Sequence, residues 1–233
     1  MVDSIFSGLS LSDIHDDLLR NIVSIRVSQD LFDDLSDSLV DRQSAIKLEL
    51  ECKPQVFSSL NPVIHRPFEE AAWNEAIEYP FRNWMRSRYS DGTFGVWYGA
   101  DSIETTIFET VHHWRSGLLE DAGFVGHGIR MERKVYSVRC DAALVDMRGA
   151  LTRYPALIDP VDYTFTQQVG GRLHREGYPG LVSRSARCDG EVYAILNPAV
   201  LSGPRQNCWL IYTTTADGVE VERSPGKRLL VVR

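Results

Sequence analysis

Apolar residues at helical spacing predict several helices in the first 80 residues. Leu31, Leu35 and Leu39 recur every four residues with Asp residues between them, which is the period of an amphipathic helix. Lys53-Pro54 and Asn61-Pro62 mark the end of this segment. Helices are predicted at three places: Leu11 to Ile22, Asp30 to about Leu50, and Phe68 to about Tyr79, where Pro80 interrupts the last one.

Two further helices are predicted from their caps and apolar stripes. Asp101 is an N-cap candidate with Glu104 three residues later, and Gly117 fits the end of that helix. Asp159-Pro160 predicts the start of the second helix, with Asp at the cap and Pro at the first position, and Gly177 stops it. The two stripes are Ile103, Ile107, Val111 and Trp114, and Phe165, Val169 and Leu173.

Short β-branched or aromatic segments between these helices predict strands. They do not alternate regularly with helices, so the pattern predicts an α+β fold with a mixed, mainly antiparallel sheet and flanking helices. The predicted strands are Phe94–Ala100, Gly126–Arg139, Ala143–Met147, Leu181–Ser185, Glu191–Leu196, Cys208–Thr213, Val219–Arg223 and Leu229–Val232.

Charge divides the chain into two parts. Residues 1–60 contain eleven acidic and five basic residues, a net charge of −6, whereas residues 61–233 carry only −1 of the total of −7. We therefore predict an acidic helical extension over residues 1–60 and a nearly neutral main domain over residues 61–233. The extension either docks on the domain and offers a partner surface or is a solvated helical lid without activity. An acidic chain without a basic cluster disfavours nucleic-acid and anionic-membrane binding.

Several kinds of site are disfavoured by what the sequence lacks. No apolar run is long enough to span a bilayer, and Met1–Phe6 has no signal-peptide pattern, so we expect a cytoplasmic protein. The spacing of the four scattered cysteines disfavours a disulfide framework and a zinc site. His112 and His113 are adjacent and point to different helix faces, so no shared metal is predicted and structural or surface roles are favoured for the histidines. The Walker phosphate loop, the G-x-S-x-G elbow and the H-E-x-x-H motif are absent.

Three polar segments remain as candidates for chemistry. Glu109 lies beside the apolar stripe of its predicted helix, where a carboxylate needs a partner or a function. An edge-of-stripe ion pair is the simpler explanation for Glu109 alone, and Arg88, Tyr98 and Ser185 are each unremarkable singly. The case therefore rests on their combination.

That combination resembles the RES-domain family, which is named for characteristic Arg, Glu and Ser residues. Arg88 and Tyr98 are ten residues apart, Tyr98 and Glu109 eleven, and Glu109 and Ser185 seventy-six, as in the family. The similarity runs from about Arg66 to Leu201. The matching segments are Ser87-Arg88-Tyr89-Ser90, Trp97-Tyr98-Gly99-Ala100, Ile107-Phe108-Glu109, Ser185-Ala186-Arg187 after Gly177-Tyr178-Pro179-Gly180, and Asn197-Pro198. Ser87 replaces the family's usual glycine, and the first 60 residues lie outside the match.

The resemblance implies an ADP-ribosyltransferase-like fold and an enzyme that consumes NAD⁺ as a substrate. Family members cleave the nicotinamide–ribose bond by hydrolysis or phosphorolysis, so inorganic phosphate is a candidate co-substrate and no other cofactor is expected. Many are toxins paired with an Xre-type helix-turn-helix antitoxin. An ADP-ribosyltransferase acting on a protein and an inactive NAD-binding regulatory module are the alternatives. Ile107 stands where acceptor-directed transferases often carry Glu or Gln, which disfavours transfer. The oligomeric state, including a homodimer, stays open.

The resemblance also implies roles for six residues. Glu109 would stabilise the oxocarbenium-like transition state and bind ribose hydroxyls. Arg88 would bind the pyrophosphate or an attacking phosphate. The other implied contacts are Tyr98 with nicotinamide or a ribose hydroxyl, Ser185 with the nicotinamide–ribose end, Arg187 as a second anion contact, and Tyr89 as a residue that shapes the pocket.

Overall fold

The structure, a computed structural model, describes residues 2–8, 10–23, 76–115, 127–224 and 226–233. These residues form an α+β fold. The helices are α1 (Val2–Phe6), α2 (residues 76–82), α3 (Ile103–His113) and α4 (Thr164–Arg175). The strands are β1 (Ser10–Val23), β2 (Trp97–Ala100), β3 (Arg130–Asp146), β4 (Gly180–Arg184), β5 (Glu191–Ile195), β6 (Leu201–Thr215), β7 (Gly218–Ser224) and β8 (Lys227–Val232).

The strands form one mixed sheet in the order β1-β2-β5-β4-β3-β6-β7-β8. Among the described residues every pair is antiparallel except β3 with β4. Strand β1 also pairs with β3, so the pairings of β1, β2, β5, β4 and β3 close a ring. The predicted class, a mainly antiparallel sheet with flanking helices, is confirmed.

Strand β1 corrects the helix predicted over Leu11 to Ile22. All fourteen of its residues pair with β3. Ile14 and Leu18 are buried on one face of the strand. A spacing of four residues is close to one helical turn but also places two side chains on the same face of a strand, so the pattern fits both structures. The helix predicted over Asp30 to about Leu50 and the domain boundary after residue 60 lie outside the described residues.

Helix α2 continues past Pro80, where an interruption was predicted. Proline has no N–H, so it cannot donate to the carbonyl oxygen four residues earlier, that of Ala76. The buried indole of Trp97 donates to this oxygen instead, at 2.8 Å. The helix therefore runs to residue 82 and is tied to the first residue of β2.

Helix α3 begins one residue later than predicted. Its N-cap is Ser102, whose Oγ accepts the backbone N–H of Thr105 at 3.1 Å, so the predicted cap at Asp101 is wrong. The predicted stripe is confirmed: Ile107, Val111 and Trp114 are buried, and they pack against β3, β6 and β7.

Helix α4 begins at Thr164, four residues after the predicted start. Asp159 is not its cap, because the Asp159 carboxylate accepts the backbone N–H groups of Val161 and Asp162 and closes a turn before the helix. The helix ends at Arg175, followed by Gly177 with φ of 76°, as predicted. Val169 and Leu173 of α4 pack against β3, β4 and β5.

The remaining strands lie close to where they were predicted, with three differences. Strand β2 begins at Trp97, three residues after its predicted start at Phe94. The two segments Gly126–Arg139 and Ala143–Met147 are a single long strand, β3. Strand β6 begins at Leu201, seven residues before its predicted start. None of the described helices has the length and apolarity to cross a membrane.

Candidate active site

Helix α3 carries a second stripe beside its buried apolar one. The residues of this second stripe follow one another at the spacing of a helical turn, and all of them are polar. They form one wall of a cavity of about 190 Å³. The four residues are Thr106, Glu109, Thr110 and His113. Glu109 therefore belongs to a polar face that borders the cavity, which explains a carboxylate next to Ile107.

The other walls come from β1, β2, β5 and the segment before β2. They are Leu19, Arg20 and Asn21, then Ser87, Arg88 and Tyr89, then Tyr98, Gly99 and Ala100, and Val192. Four of the six predicted site residues, Arg88, Tyr89, Tyr98 and Glu109, therefore line one cavity. Ser185 and Arg187 are not part of its lining.

Ser185 lies against Glu109. Its hydroxyl donates to Glu109 Oε1 at 2.5 Å and accepts the backbone N–H of Arg187 at 2.9 Å. Ser185 is 5% exposed. A Cβ at Gly190 would lie 2.0 Å from Thr105 Oγ1, so only glycine lets the loop after β4 approach α3 this closely. The geometry makes Ser185 a residue that orients the Glu109 carboxylate.

Tyr98 organises the segment that carries Arg88. Its hydroxyl lies 2.8 Å from Ser87 Oγ and accepts the backbone N–H of Tyr89 at 3.0 Å. Burial raises the pKa of Tyr98 well above its ordinary value, so the hydroxyl stays protonated at neutral pH. A Cβ at Gly170 would lie 2.0 Å from the carbonyl oxygen of Tyr89, so a glycine in α4 lets this segment pack on the helix.

We expect Tyr98→Phe to lower the free energy of unfolding by about 1–3 kcal/mol, because the buried backbone N–H of Tyr89 loses its acceptor. Urea unfolding followed by tryptophan fluorescence measures the change. Tyr154→Phe is the matched control, since its hydroxyl donates to the exposed Ser4, and we expect less than about 0.5 kcal/mol there. Equal stability losses in the two variants would contradict this role for Tyr98.

Arg88 and Arg187 reach the same loop before α4 from different elements. Arg88 Nη1 donates to the carbonyl oxygen of Asp159 at 2.8 Å, and its guanidinium lies 4.4 Å from the centre of the Tyr163 ring. Arg187 Nη2 contacts the carbonyl oxygen of Pro160 and lies 2.7 Å from His112 Nε2.

Arg20 is a site residue that the sequence analysis missed. It lines the cavity from β1, donates to the carbonyl oxygen of Tyr98 at 3.0 Å and lies 5.2 Å from the centre of the Trp97 ring. Burial and the charge of Arg133 lower the pKa of Arg20 to about 10, which leaves it charged at neutral pH. It is the single Lys or Arg in the first 25 residues, and this isolated positive charge was the feature of the sequence that could have indicated a functional role.

Asn21, also missed, ties α3 to the sheet. Its Nδ2 donates to the hydroxyls of Tyr212 and Thr106 at 2.9 and 3.2 Å, and its Oδ1 accepts Arg133 Nε at 2.6 Å. Arg133 is 7% exposed, and its burial lowers its pKa. This network holds the polar stripe of α3, and with it Glu109, against β1 and β6.

His113 lines the cavity, and His112 precedes it on α3. Desolvation lowers the pKa of both imidazoles, and the charge of Arg187 adds to the effect. Within the described residues, no group of three or more His, Cys, Asp or Glu side chains is arranged to hold a metal ion.

The cavity thus has one glutamate and two arginines, Glu109, Arg20 and Arg88, among its lining residues. The carboxylate of Glu109 favours a developing positive charge, and the guanidiniums of Arg20 and Arg88 favour an anion. A molecule with an anionic part and a centre that becomes cationic during reaction matches this arrangement.

Three comparisons relate this chain to known proteins. The family model described as the RES domain matches residues 63–220. A chain of the crystal structure of the M. tuberculosis MbcT–MbcA toxin–antitoxin complex is similar, with a TM-score of 0.49 and 11% sequence identity over 88% of this chain and 91% of that one. No curated protein matches the chain. Because the family model covers most of the sequence, this chain belongs to the RES-domain family.

Proposed function

We propose that this protein cleaves the nicotinamide–ribose bond of NAD⁺ and so consumes NAD⁺. The observation that carries the proposal is the position of Glu109, which lines the same cavity as Arg88 and accepts a hydrogen bond from Ser185 at 2.5 Å. NAD⁺ has the two features that this site matches, an anionic pyrophosphate and a ribose carbon that becomes cationic as the bond breaks.

The chemistry needs little beyond charge stabilisation. Nicotinamide leaves as a neutral molecule with the bonding electron pair, because its ring nitrogen is cationic in NAD⁺. The ribose is left with oxocarbenium character, which the Glu109 carboxylate stabilises across the cavity. Ser185 donates to one carboxylate oxygen and fixes the rotation of the group, so the other oxygen is available to the ribose.

The arginines act on the other end of the substrate. Arg88 presents a planar fork of donors, the geometry that suits phosphate oxygens. Arg20 adds a second charge from β1, which lines the same cavity. Attack by water then gives ADP-ribose and a proton, whereas attack by inorganic phosphate gives ADP-ribose 1″-phosphate. Both acceptors fit the same residues, and the proposal includes both.

We further propose that the protein acts in the cytoplasm as the toxin of a toxin–antitoxin pair. Support comes from membership of the RES-domain family, because the resemblance to that family implies a toxin paired with an Xre-type helix-turn-helix antitoxin. Depletion of NAD⁺ stops growth without any nucleic-acid or membrane target.

Purified protein incubated with NAD⁺ is expected to release nicotinamide, and mass spectrometry identifies the second product. ADP-ribose without phosphate indicates hydrolysis, and ADP-ribose 1″-phosphate in added phosphate indicates phosphorolysis. A parallel reaction with labelled NAD⁺ and cell lysate tests transfer, which would label protein. Intact NAD⁺ under all three conditions would refute the proposed function.

A further inference from the structure

The loop that begins at Leu157 and ends at Tyr163 contacts both arginines of the family motifs. Arg88 donates to the carbonyl oxygens of Asp159 and Leu157, at 2.8 and 3.4 Å. Arg187 contacts the carbonyl oxygen of Pro160. The two arginines come from segments about a hundred residues apart, so this loop, here called the arginine loop, brings them into one arrangement.

Tyr163 is the residue of this loop that both side chains share. The Arg88 guanidinium lies 4.4 Å from the centre of its ring, within the range of a cation–π contact. Arg187 Nη2 lies 3.4 Å from its hydroxyl oxygen. One side chain therefore contacts a guanidinium with its face and the other guanidinium with its polar end.

These contacts orient the arginines without neutralising them. Carbonyl oxygens and an aromatic face carry no net charge, and in the described part of the chain neither Arg88 nor Arg187 forms a salt bridge. The nearby carboxylate of Asp159 accepts two backbone N–H groups, which lower its pKa, with the charge of Arg88 a lesser contribution. Both positive charges stay available to an anion.

Helix stability does not account for a tyrosine at this position. Tyr163 is the N-cap of α4, and its side chain makes no capping hydrogen bond. Ser, Thr, Asp or Asn is preferred at an N-cap because a short polar side chain accepts a backbone N–H there. Asp162 performs this role from one residue earlier by accepting the N–H of Thr164 at 2.8 Å.

We infer that Tyr163 is a positioning residue of the substrate site. It holds Arg88, which lines the cavity, together with Arg187, which lies outside the lining, in the arrangement that binds the pyrophosphate. This inference rests on the proposed function. Because the pyrophosphate is remote from the bond that breaks, its contacts contribute similar binding energy before and during the reaction. Loss of such uniform binding raises KM and leaves kcat nearly unchanged.

Tyr163→Asn tests the inference with a residue that suits an N-cap, and Tyr163→Leu removes the ring without adding a polar group. For both we expect KM for NAD⁺ to rise about 10-fold, in the range of a partly desolvated cation–π contact, with kcat within about twofold of wild type. Tyr163→Phe keeps the ring, so its KM for NAD⁺ should stay close to that of wild type. Tyr154→Leu is the control for a tyrosine-to-leucine change, since Tyr154 stacks on Phe165.

Steady-state kinetics and thermal unfolding of wild type and the four variants test whether Tyr163 positions the arginines. Unchanged KM in folded Tyr163→Asn and Tyr163→Leu would overturn the inference, as would an equal rise of KM in Tyr154→Leu. A fall in kcat without a rise in KM would also overturn it.

The proposed function can fail separately. If wild-type protein does not consume NAD⁺, calorimetric titration with inorganic pyrophosphate still measures the anion affinity of Arg88 and Arg187. Weaker binding in Tyr163→Asn than in wild type would support the positioning role without the reaction. Equal binding, or none by wild type, would overturn the inference together with the activity.

Discussion

Glu109→Gln is expected to lower kcat for NAD⁺ consumption by about 10²–10³-fold, the usual loss when one group that stabilises transition-state charge is removed. Glutamine has the size of glutamate and can still accept from Ser185, so the hydrogen bond to Ser185 Oγ can persist. The change removes the negative charge that faces the developing oxocarbenium. KM should change much less, because the charge acts mainly when the bond breaks.

Glu104→Gln is the matched control for this prediction. It makes the same change on the same helix, but Glu104 is exposed in the first turn of α3 and does not line the cavity. Its kcat should stay within about twofold of wild type, and so should the growth inhibition caused by expressing it. Nicotinamide release measured by chromatography gives both rates. Near-wild-type kcat in Glu109→Gln would remove Glu109 from the mechanism, whatever its effect on stability.

Glu109 also illustrates what the sequence could predict about this site. The apolar stripe of α3 is a local pattern, so Ile107 and Val111 were correctly expected to be buried. The polar stripe of Thr106, Glu109 and Thr110 follows the same period but has meaning only once β1 lies opposite it. The sequence therefore indicated that Glu109 needed either a partner or a function, and only the resemblance implied a particular function. The contact between Glu109 and Ser185 required the fold.

Strand β1 was mispredicted for a related reason. Its residues pair with residues of β3 that lie more than a hundred positions later in the sequence. Such long-range pairing overrides a local pattern that fits both a helix and a strand. Two cavity residues, Arg20 and Asn21, were missed with it. They lie outside residues 63–220, so the family match did not recover them either. Tyr163 was missed because an aromatic residue in a loop carries no signal of its contacts with Arg88 and Arg187.

Substitution of Arg88 is expected to cause the second large loss of activity. Arg88→Met is expected to lower kcat/KM for NAD⁺ by about 10–100-fold, the loss that corresponds to one or two hydrogen bonds to a charged group. Methionine keeps an unbranched apolar stem and removes the guanidinium. Arg88→Lys should recover only part of the loss, because an ammonium group keeps the charge but not the planar fork. Arg86→Met is the control, two residues earlier and exposed.

The products of Arg88→Met separate the two ligands proposed for this arginine. If Arg88 binds the pyrophosphate of NAD⁺, hydrolysis and phosphorolysis should slow by the same factor, because both reactions use the same substrate contact. If Arg88 binds the attacking phosphate, only formation of ADP-ribose 1″-phosphate should fall, and its dependence on phosphate concentration should shift to higher values. The contacts of Arg88 with the loop that also holds Arg187 favour the first result. Unchanged rates of both reactions in a folded Arg88→Met protein would exclude Arg88 from substrate binding and leave Arg20 as the cation of this cavity.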